Sequence, residues 1–139
     1  MSTLVVGSNS FPAFSGNGNY INKWSAQCLP GLGPIPVGTY YTVDRLSGGL
    51  SAALDPYLKK DVWFALYPAD DAIDDEMFCD QIMRGRFRLH PATGSGGSIG
   101  CVTLPFFMDF VRLRKIILDA KVHPIPGSDV TTYGRLIVS

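Results

Sequence analysis

The stretch that decides the fold of this chain is Phe87-Arg88-Leu89-His90-Pro91, which is followed by a small-residue loop and then by Ser98-Ile99-Gly100-Cys101. The first block alternates polar and apolar residues. This alternation predicts a strand with Phe87 and Leu89 on one face, and with His90 at its end, facing away from the core. Cys101 follows His90 by eleven positions. Because a thiol is a poor nucleophile at its free pKa of about 8.5, a nearby imidazole is the base that it requires.

The segments around this stretch predict a β-rich protein with one main helix. Residues 105–120 form the helix candidate, because apolar residues recur there at spacings of three, four and seven. A shorter helix is expected within residues 50–60. Cys101 is expected to open a helical region, where a helix dipole would favour the thiolate. Short runs rich in β-branched and aromatic residues predict strands at residues 39–43, 62–67 and 133–138.

Composition limits the possible classes of protein. The chain has 139 residues with 46% hydrophobic content, which suits a single domain spanning 1–139. Lysine plus arginine equals aspartate plus glutamate at 12 each, so no global charge recruits nucleic acid or an anionic membrane. No apolar run reaches the roughly 20 residues of a membrane span, and the first residues have no basic leader of a secretory signal.

The cysteines and acidic residues do not predict a metal site. The three cysteines lack paired spacing such as C-x-x-C, so neither a zinc site nor a cofactor is expected. Small buried apolar residues are the favoured interpretation of Cys28 and Cys79, and a disulfide between them is the alternative. The acidic stretch 70–76 lacks the spacing of an EF-hand loop and is expected to be a solvated loop or a helix N-terminus.

Glycines surround the candidate nucleophile. Small residues let the backbone approach a ligand closely, and the amides of Gly100 and Cys101 are natural donors to a developing oxyanion. These features permit acyl transfer through a thioester, although a histidine and a cysteine at this spacing also occur by chance. His123 precedes a proline in a turn and is expected to be an exposed loop residue. Aromatic residues either line a substrate groove or belong to the core; they are Tyr20, Trp24, Tyr40 and Tyr41.

Two blocks of the sequence resemble a known family. His90 followed by Ser98-Ile99-Gly100-Cys101 resembles the signature of the L,D-transpeptidase superfamily. Phe14-Ser15-Gly16-Asn17-Gly18 and Gly33-Pro34-Ile35-Pro36-Val37-Gly38-Thr39-Tyr40 resemble its type VI secretion effector branch. Ile99 and Thr103 depart from many housekeeping members, which carry histidine before the motif glycine and arginine or asparagine two residues after the cysteine. These departures favour the effector branch.

The resemblance implies a β-rich α+β fold with an L,D-transpeptidase-like β-sandwich core and a catalytic site acting on peptidoglycan stem peptides. By this resemblance Cys101 is the nucleophile, His90 the base, and Ser98 and Gly100 supporting catalytic residues. The substrate-binding candidates are Arg88, Gly97, Ile99 and Tyr40, although a surface arginine is the more common interpretation of a residue such as Arg88. The third member of a triad is not identified.

The same resemblance implies an antibacterial effector that removes the terminal D-alanine of tetrapeptide stems or exchanges it for a D-amino acid. Such an effector is made in the producer cytoplasm without a signal peptide and acts in the periplasm of a target cell. Its expected partners are a cognate immunity protein and a spike or tube component of the secretion system. Two alternatives remain open: a non-catalytic module that binds peptidoglycan or docks to the spike, and a cysteine peptidase or amidase with a different bond preference.

Overall fold

The computed structural model describes residues 1–44, 63–70, 74–92 and 100–139. The described part contains one α-helix, α1 (Phe107–Asp119), and two short 3-10 turns at Gly18–Tyr20 and Trp24–Ala26. The helix expected within residues 50–60 lies outside the described residues. The strands in chain order are β1 (Ser2–Val6), β2 (Asn9–Ala13), β3 (Gly38–Asp44), β4 (Phe64–Pro68), β5 (Glu76–Cys79), β6 (Ile82–Gly85), β7 (Arg88–Pro91), β8 (Val102–Leu104), β9 (His123–Pro124), β10 (Thr131–Thr132) and β11 (Gly134–Val138).

A five-stranded sheet in the order β11-β3-β4-β7-β8 organises these elements. Its neighbours pair antiparallel except β7 and β8, which run parallel. The N-terminal β1–β2 hairpin attaches beyond β8 through a bridge between Phe14 and Thr103, whose amides and carbonyls exchange hydrogen bonds of 2.9 and 2.8 Å. The first residues of the chain therefore lie beside the strand that follows Cys101.

Each face of the central sheet is covered by apolar side chains. On one face α1 packs Phe110 and Leu113 into the main core, together with aromatic and aliphatic residues of β2, β3, β4 and β7. On the other face Ile125 packs against Val43 and Ala65. Because successive strand residues point to opposite faces, the two clusters take alternate positions along β3 and β4. Both faces of these strands are therefore buried, which matches their near-continuous apolar runs.

The fold prediction is confirmed at the level of a β-rich α+β protein with one main helix. The strands expected at 39–43, 62–67 and 133–138 match β3, β4 and β11 within a few residues. The L,D-transpeptidase-like sandwich stays a prediction. Only part of the predicted apolar stripe of α1 is buried, since Phe107, Val111 and Leu118 are exposed. The buried stripe instead includes Leu113, because the helix meets the sheet on that side.

A disulfide joins Cys28 to Cys79. The favoured interpretation of these two cysteines as small unpaired core residues was therefore wrong. The bond connects the glycine- and proline-rich segment 14–37 to the β5–β6 hairpin. It leaves Cys101 as a buried thiol.

Candidate active site

The parallel register of β7 and β8 determines which face of the sheet His90 occupies. Leu89 pairs with Val102 and His90 with Thr103 in the parallel β7–β8 ladder. Leu89 and Val102 belong to the main core under α1, so His90 and Thr103 take the opposite face. Cys101 directly precedes β8 and shares the parity of Thr103. The register therefore places His90 and Thr103 on the face turned away from the helix, and Cys101 directly before β8.

The imidazole of His90 is held in a defined orientation. Its ring stacks on Trp63 with the centroids 4.2 Å apart and the planes 19° apart. Nδ1 donates a hydrogen bond of 2.6 Å to the carbonyl of Pro91. Because a carbonyl only accepts, Nδ1 carries a proton, so Nε2 is the nitrogen that can act as a base when the ring is neutral. The hydroxyl of Thr103 lies 3.5 Å from that Nε2.

The burial of His90 differs in part from the expectation. His90 does face away from the main core, as the alternation of β7 predicts. It is nevertheless only 5% exposed, because Trp63 covers one face of its ring and β8 runs alongside. A buried, stacked imidazole loses little orientational freedom when it acts, which suits a fixed base.

Cys101 does not open a helix. The strand β8 (Val102–Leu104) follows it, and α1 begins only at Phe107. Since the dipole of a helix acts within its first turn, the expected contribution of a helix N-terminus to the thiolate was wrong. The β-branched Val102 and Thr103 favour a strand at this point, and their parallel pairing with β7 stabilises it. Cys101 is 8% exposed.

Gly100 adopts a conformation that requires glycine. Its φ is +82°, in the left-handed region. A Cβ built on Gly100 would also overlap the guanidinium of Arg84 and approach the ring of Phe87 to 3.0 Å. The residue directly before the thiol thus has a backbone conformation that other residues rarely adopt. The role of its amide as an oxyanion donor stays a prediction.

Two arginines lie within electrostatic range of Cys101. Arg88 forms a two-pronged ion pair with Asp75, with N–O distances of 2.9 and 2.8 Å. Burial lowers the pKa of Arg88, but the hydrogen bond and charge of Asp75, followed by the charge of Cys101, outweigh burial and raise the pKa overall. Asp75 belongs to the acidic stretch that was expected to be solvated. The stretch thus provides at least one carboxylate to the site.

Arg84 is the second arginine, and it is buried. Its side chain donates hydrogen bonds to the carbonyls of Gln27, Gly33 and Pro34. Burial lowers the pKa of Arg84, and the charges of Tyr40 and Cys101 act in the opposite direction. The arginine therefore joins the two sequence blocks that carried the family resemblance.

The remaining candidates divide between the core, the surface and the part of the chain that is not described. Tyr40 lies in the core, 1% exposed, and its hydroxyl donates a hydrogen bond of 2.6 Å to Pro36. Trp24 and Tyr20 are exposed. His123 is exposed too, as predicted. Gly97, Ser98 and Ile99 lie outside the described residues.

Sequence reasoning missed Trp63, Thr103 as a neighbour of the histidine, and Arg84. Trp63 appeared only as one member of an apolar strand, and Arg84 was not considered. Thr103 was noted only as a departure from a motif. The pattern that would have found Trp63 and Thr103 is their parity: both occupy positions that the strand register assigns to the face of His90.

The His90 site lies apart from a cavity on the other side of the sheet. A cavity of about 680 Å³ lies between β1, α1 and β11, on the helix-covered side of the sheet. Its lining includes neither His90 nor Cys101.

Within the described residues, no helix has the length and apolar character needed to cross a membrane.

The site thus combines a buried thiol directly before β8 with an oriented imidazole on β7, the two groups that a cysteine enzyme acting through an acyl intermediate requires. Residues 9–128 match the family model described as the Tlde1 domain. The chain belongs to this family of type VI secretion effectors with L,D-transpeptidase activity. No curated protein and no solved structure matches the chain.

Proposed function

We propose that this effector cleaves peptidoglycan tetrapeptide stems with Cys101 as nucleophile. The observation that carries the proposal is the parallel β7–β8 register, which aligns His90 with the strand that begins directly after Cys101. The carbonyl of Pro91 accepts the Nδ1 proton of His90 and so has the orienting role of a third triad member. This backbone group fills the position for which no side chain could be identified in the sequence.

The chemistry runs in two steps. His90 Nε2 takes the proton of the Cys101 thiol, and the thiolate attacks the carbonyl of meso-diaminopimelate. The amides of Gly100 and Cys101 stabilise the tetrahedral oxyanion. As the C–N bond breaks, His90 returns the proton to the amine of the departing D-alanine, leaving a thioester on Cys101. Water then attacks the thioester, giving carboxypeptidase activity, or the amine of a D-amino acid attacks it, giving exchange.

Substrate binding is proposed for the residues around the thiol. Arg88 binds a carboxylate of the stem peptide. Asp75 orients the guanidinium of Arg88 through two hydrogen bonds. The resemblance further assigns Gly97, Ser98 and Ile99 to the pocket or to support of the histidine. Tyr40, as a buried residue, supports the site from the core and makes no direct contact with the substrate.

The biological setting follows from the family. Secretion into a rival cell takes the chain, as one domain, to the periplasm where peptidoglycan is accessible. An immunity protein in the producer is the expected neutralising partner, covering the Cys101 cleft. A component of the secretion spike or tube is the expected carrier.

Purified tetrapeptide muropeptides test the enzymatic assignment. Wild type should remove a single D-alanine, and Cys101→Ala and His90→Ala should reduce turnover by a factor of at least about 1000. His123→Ala is the matched control, because it deletes an exposed imidazole that lies outside the five-stranded sheet. Mass spectrometry of the products separates the alternatives: release of whole stems would indicate an amidase. Identical profiles for wild type and Cys101→Ala would indicate a non-catalytic module.

A further inference from the structure

Arg84 is a buried cation whose charge is not neutralised by its hydrogen-bond partners. Arg84 is only 4% exposed. Nη1 donates to the carbonyls of Gln27 and, at 3.1 Å, Pro34, while Nη2 donates to Gly33 at 3.2 Å. Carbonyl dipoles solvate a guanidinium but leave its net charge in place. Within the described residues, the ion pairs are Arg88 with Asp75 and Arg112 with Asp109, and neither involves Arg84.

A buried charge of this kind requires a compensating anion. Removing an ion from water costs several kcal/mol, and fixed dipoles recover only part of that cost. Two ionisable groups interact electrostatically with Arg84: Tyr40 and Cys101. Burial raises the pKa of Tyr40 above its ordinary value of 10, so its hydroxyl is neutral near pH 7. Of these two groups, only Cys101 can become the anion near neutral pH.

The geometry also ties the guanidinium to the residue before the thiol. Nη2 lies so close to Gly100 that a Cβ there would overlap it. The Phe87 ring lies under the guanidinium, 5.4 Å from its central carbon to the ring centroid, and contacts the same glycine site. The carbonyl oxygens of Gln27, Gly33 and Pro34 accept hydrogen bonds from the same guanidinium. Arg84 therefore has little freedom to turn away when the charge of Cys101 changes.

Arg88 differs from Arg84 in this respect. It too feels the charge of Cys101, but its fork is occupied by both oxygens of Asp75. The positive charge of that pair is compensated before any thiolate forms. The two arginines thus differ: Arg88 is paired with a carboxylate and partly exposed, whereas Arg84 is buried, has no carboxylate partner among the described residues, and lies against the glycine that precedes Cys101.

We propose that Arg84 is a positioning residue that stabilises the thiolate form of Cys101 through its fixed, buried positive charge. The assignment rests on the proposed function, in which Cys101 is the nucleophile. It supplies the electrostatic contribution that a helix N-terminus was expected to make. It also gives the carbonyls of segment 14–37 a role in the chemistry, since they hold the guanidinium in place.

The test is the pH dependence of alkylation by iodoacetamide, which reacts with the thiolate. Cys28 and Cys79 are joined in the disulfide, so alkylation reports Cys101 alone. Arg84→Gln should move the midpoint of the alkylation curve up by about one pH unit or more. The rate at the high-pH plateau should change little, because a thiolate that has already formed needs no stabilisation. A purely structural role would alter the plateau and leave the midpoint in place.

Matched variants keep the test decisive. Arg86→Gln removes a positive charge from the exposed neighbouring turn and should leave the midpoint within about 0.3 pH units of wild type. Arg84→Lys keeps the charge and loses the fork, so its midpoint should stay near that of wild type even where its melting temperature falls. If Arg84→Gln does not fold, the alkylation midpoint of Arg84→Lys tests the proposal by itself.

Two outcomes overturn the proposal: a folded Arg84→Gln variant with the wild-type midpoint, or an Arg84→Lys variant whose midpoint rises to that of a free thiol. Neither outcome bears on muropeptide cleavage by Cys101, which is measured separately with Cys101→Ala.

Discussion

Breaking the Cys28–Cys79 disulfide should remove a large share of the stability of this domain. The two cysteines are 51 positions apart. A cross-link that closes a loop of this length lowers the entropy of the unfolded chain by about 14 cal/mol/K, which corresponds to about 4 kcal/mol at 25 °C. Small domains are stable by only about 5–15 kcal/mol. With an unfolding entropy of about 2.1 cal/mol/K per residue, the loss equals a fall in Tm of roughly 14 °C.

Urea unfolding of three samples measures this effect. They are oxidised wild type, wild type in reductant, and the variant with both Cys28→Ala and Cys79→Ala. Reduced wild type is the matched control, since it keeps every side chain and breaks only the bond. We expect reduced wild type and the double variant to unfold at similar urea concentrations. Their free energies of unfolding should be about 4 kcal/mol lower than that of oxidised wild type. Reductant should not change the midpoint of the double variant.

A difference below about 1 kcal/mol between oxidised and reduced wild type would refute this reasoning. It would mean that the packing of segment 14–37 against the β5–β6 hairpin holds the loop closed without the bond. A large effect of reductant on the double variant would refute it differently, because no disulfide remains there to reduce.

Three further predictions concern single side chains. Gly100→Ala should destabilise the fold by about 1–3 kcal/mol and abolish most turnover, because a side chain meets both a positive φ and an occupied space; thermal unfolding and the muropeptide assay measure the two effects. Leu113→Ala should cost about 2–5 kcal/mol in urea unfolding, whereas exposed Val111→Ala on the same helix should cost less than about 1 kcal/mol, and equal losses would contradict the assigned buried stripe. Burial raises the pKa of Tyr40. Above pH 10 the unfolded chain therefore releases a phenol proton that the folded chain keeps. The free energy of unfolding then falls as pH rises, with a slope approaching about 1.4 kcal/mol per pH unit. Tyr40→Phe should be less stable by about 1 kcal/mol at pH 7 but should lack this alkaline slope, and an unchanged slope would show that other groups cause it.

Local patterns in the sequence predicted most of the elements. The β-branched and aromatic runs gave β3, β4 and β11 their correct assignments because a two-residue alternation or a short apolar run is a local property. The helix prediction succeeded for the same reason. The alternation in β7 also predicted which face His90 takes. What these patterns lack is the identity of neighbouring strands, which depends on contacts between distant residues.

The errors in the sequence analysis have that origin. Cys101 was expected to open a helix because the three residues of β8 are too few to give a periodic signal, and their strand depends on pairing with β7. The disulfide joins residues 51 positions apart, and no spacing motif predicts the pairing. Arg84 is buried only because carbonyls of residues 27, 33 and 34 surround it. A single arginine in a hairpin gives no sign of such a partner.

The parallel pairing of β7 with β8 has a consequence for how this family diversifies. The spatial relation between His90 and Cys101 is set by hydrogen bonds between the two strands, and the number of residues connecting them is a separate variable. Residues added to or removed from the part of the connecting segment before Ser98 would leave the pairing of β7 with β8 unchanged. Distant members are better sought by the strand-and-parity pattern than by a fixed interval. A designer could therefore graft new sequence between Pro91 and Ser98 while keeping Gly100, whose backbone conformation requires glycine.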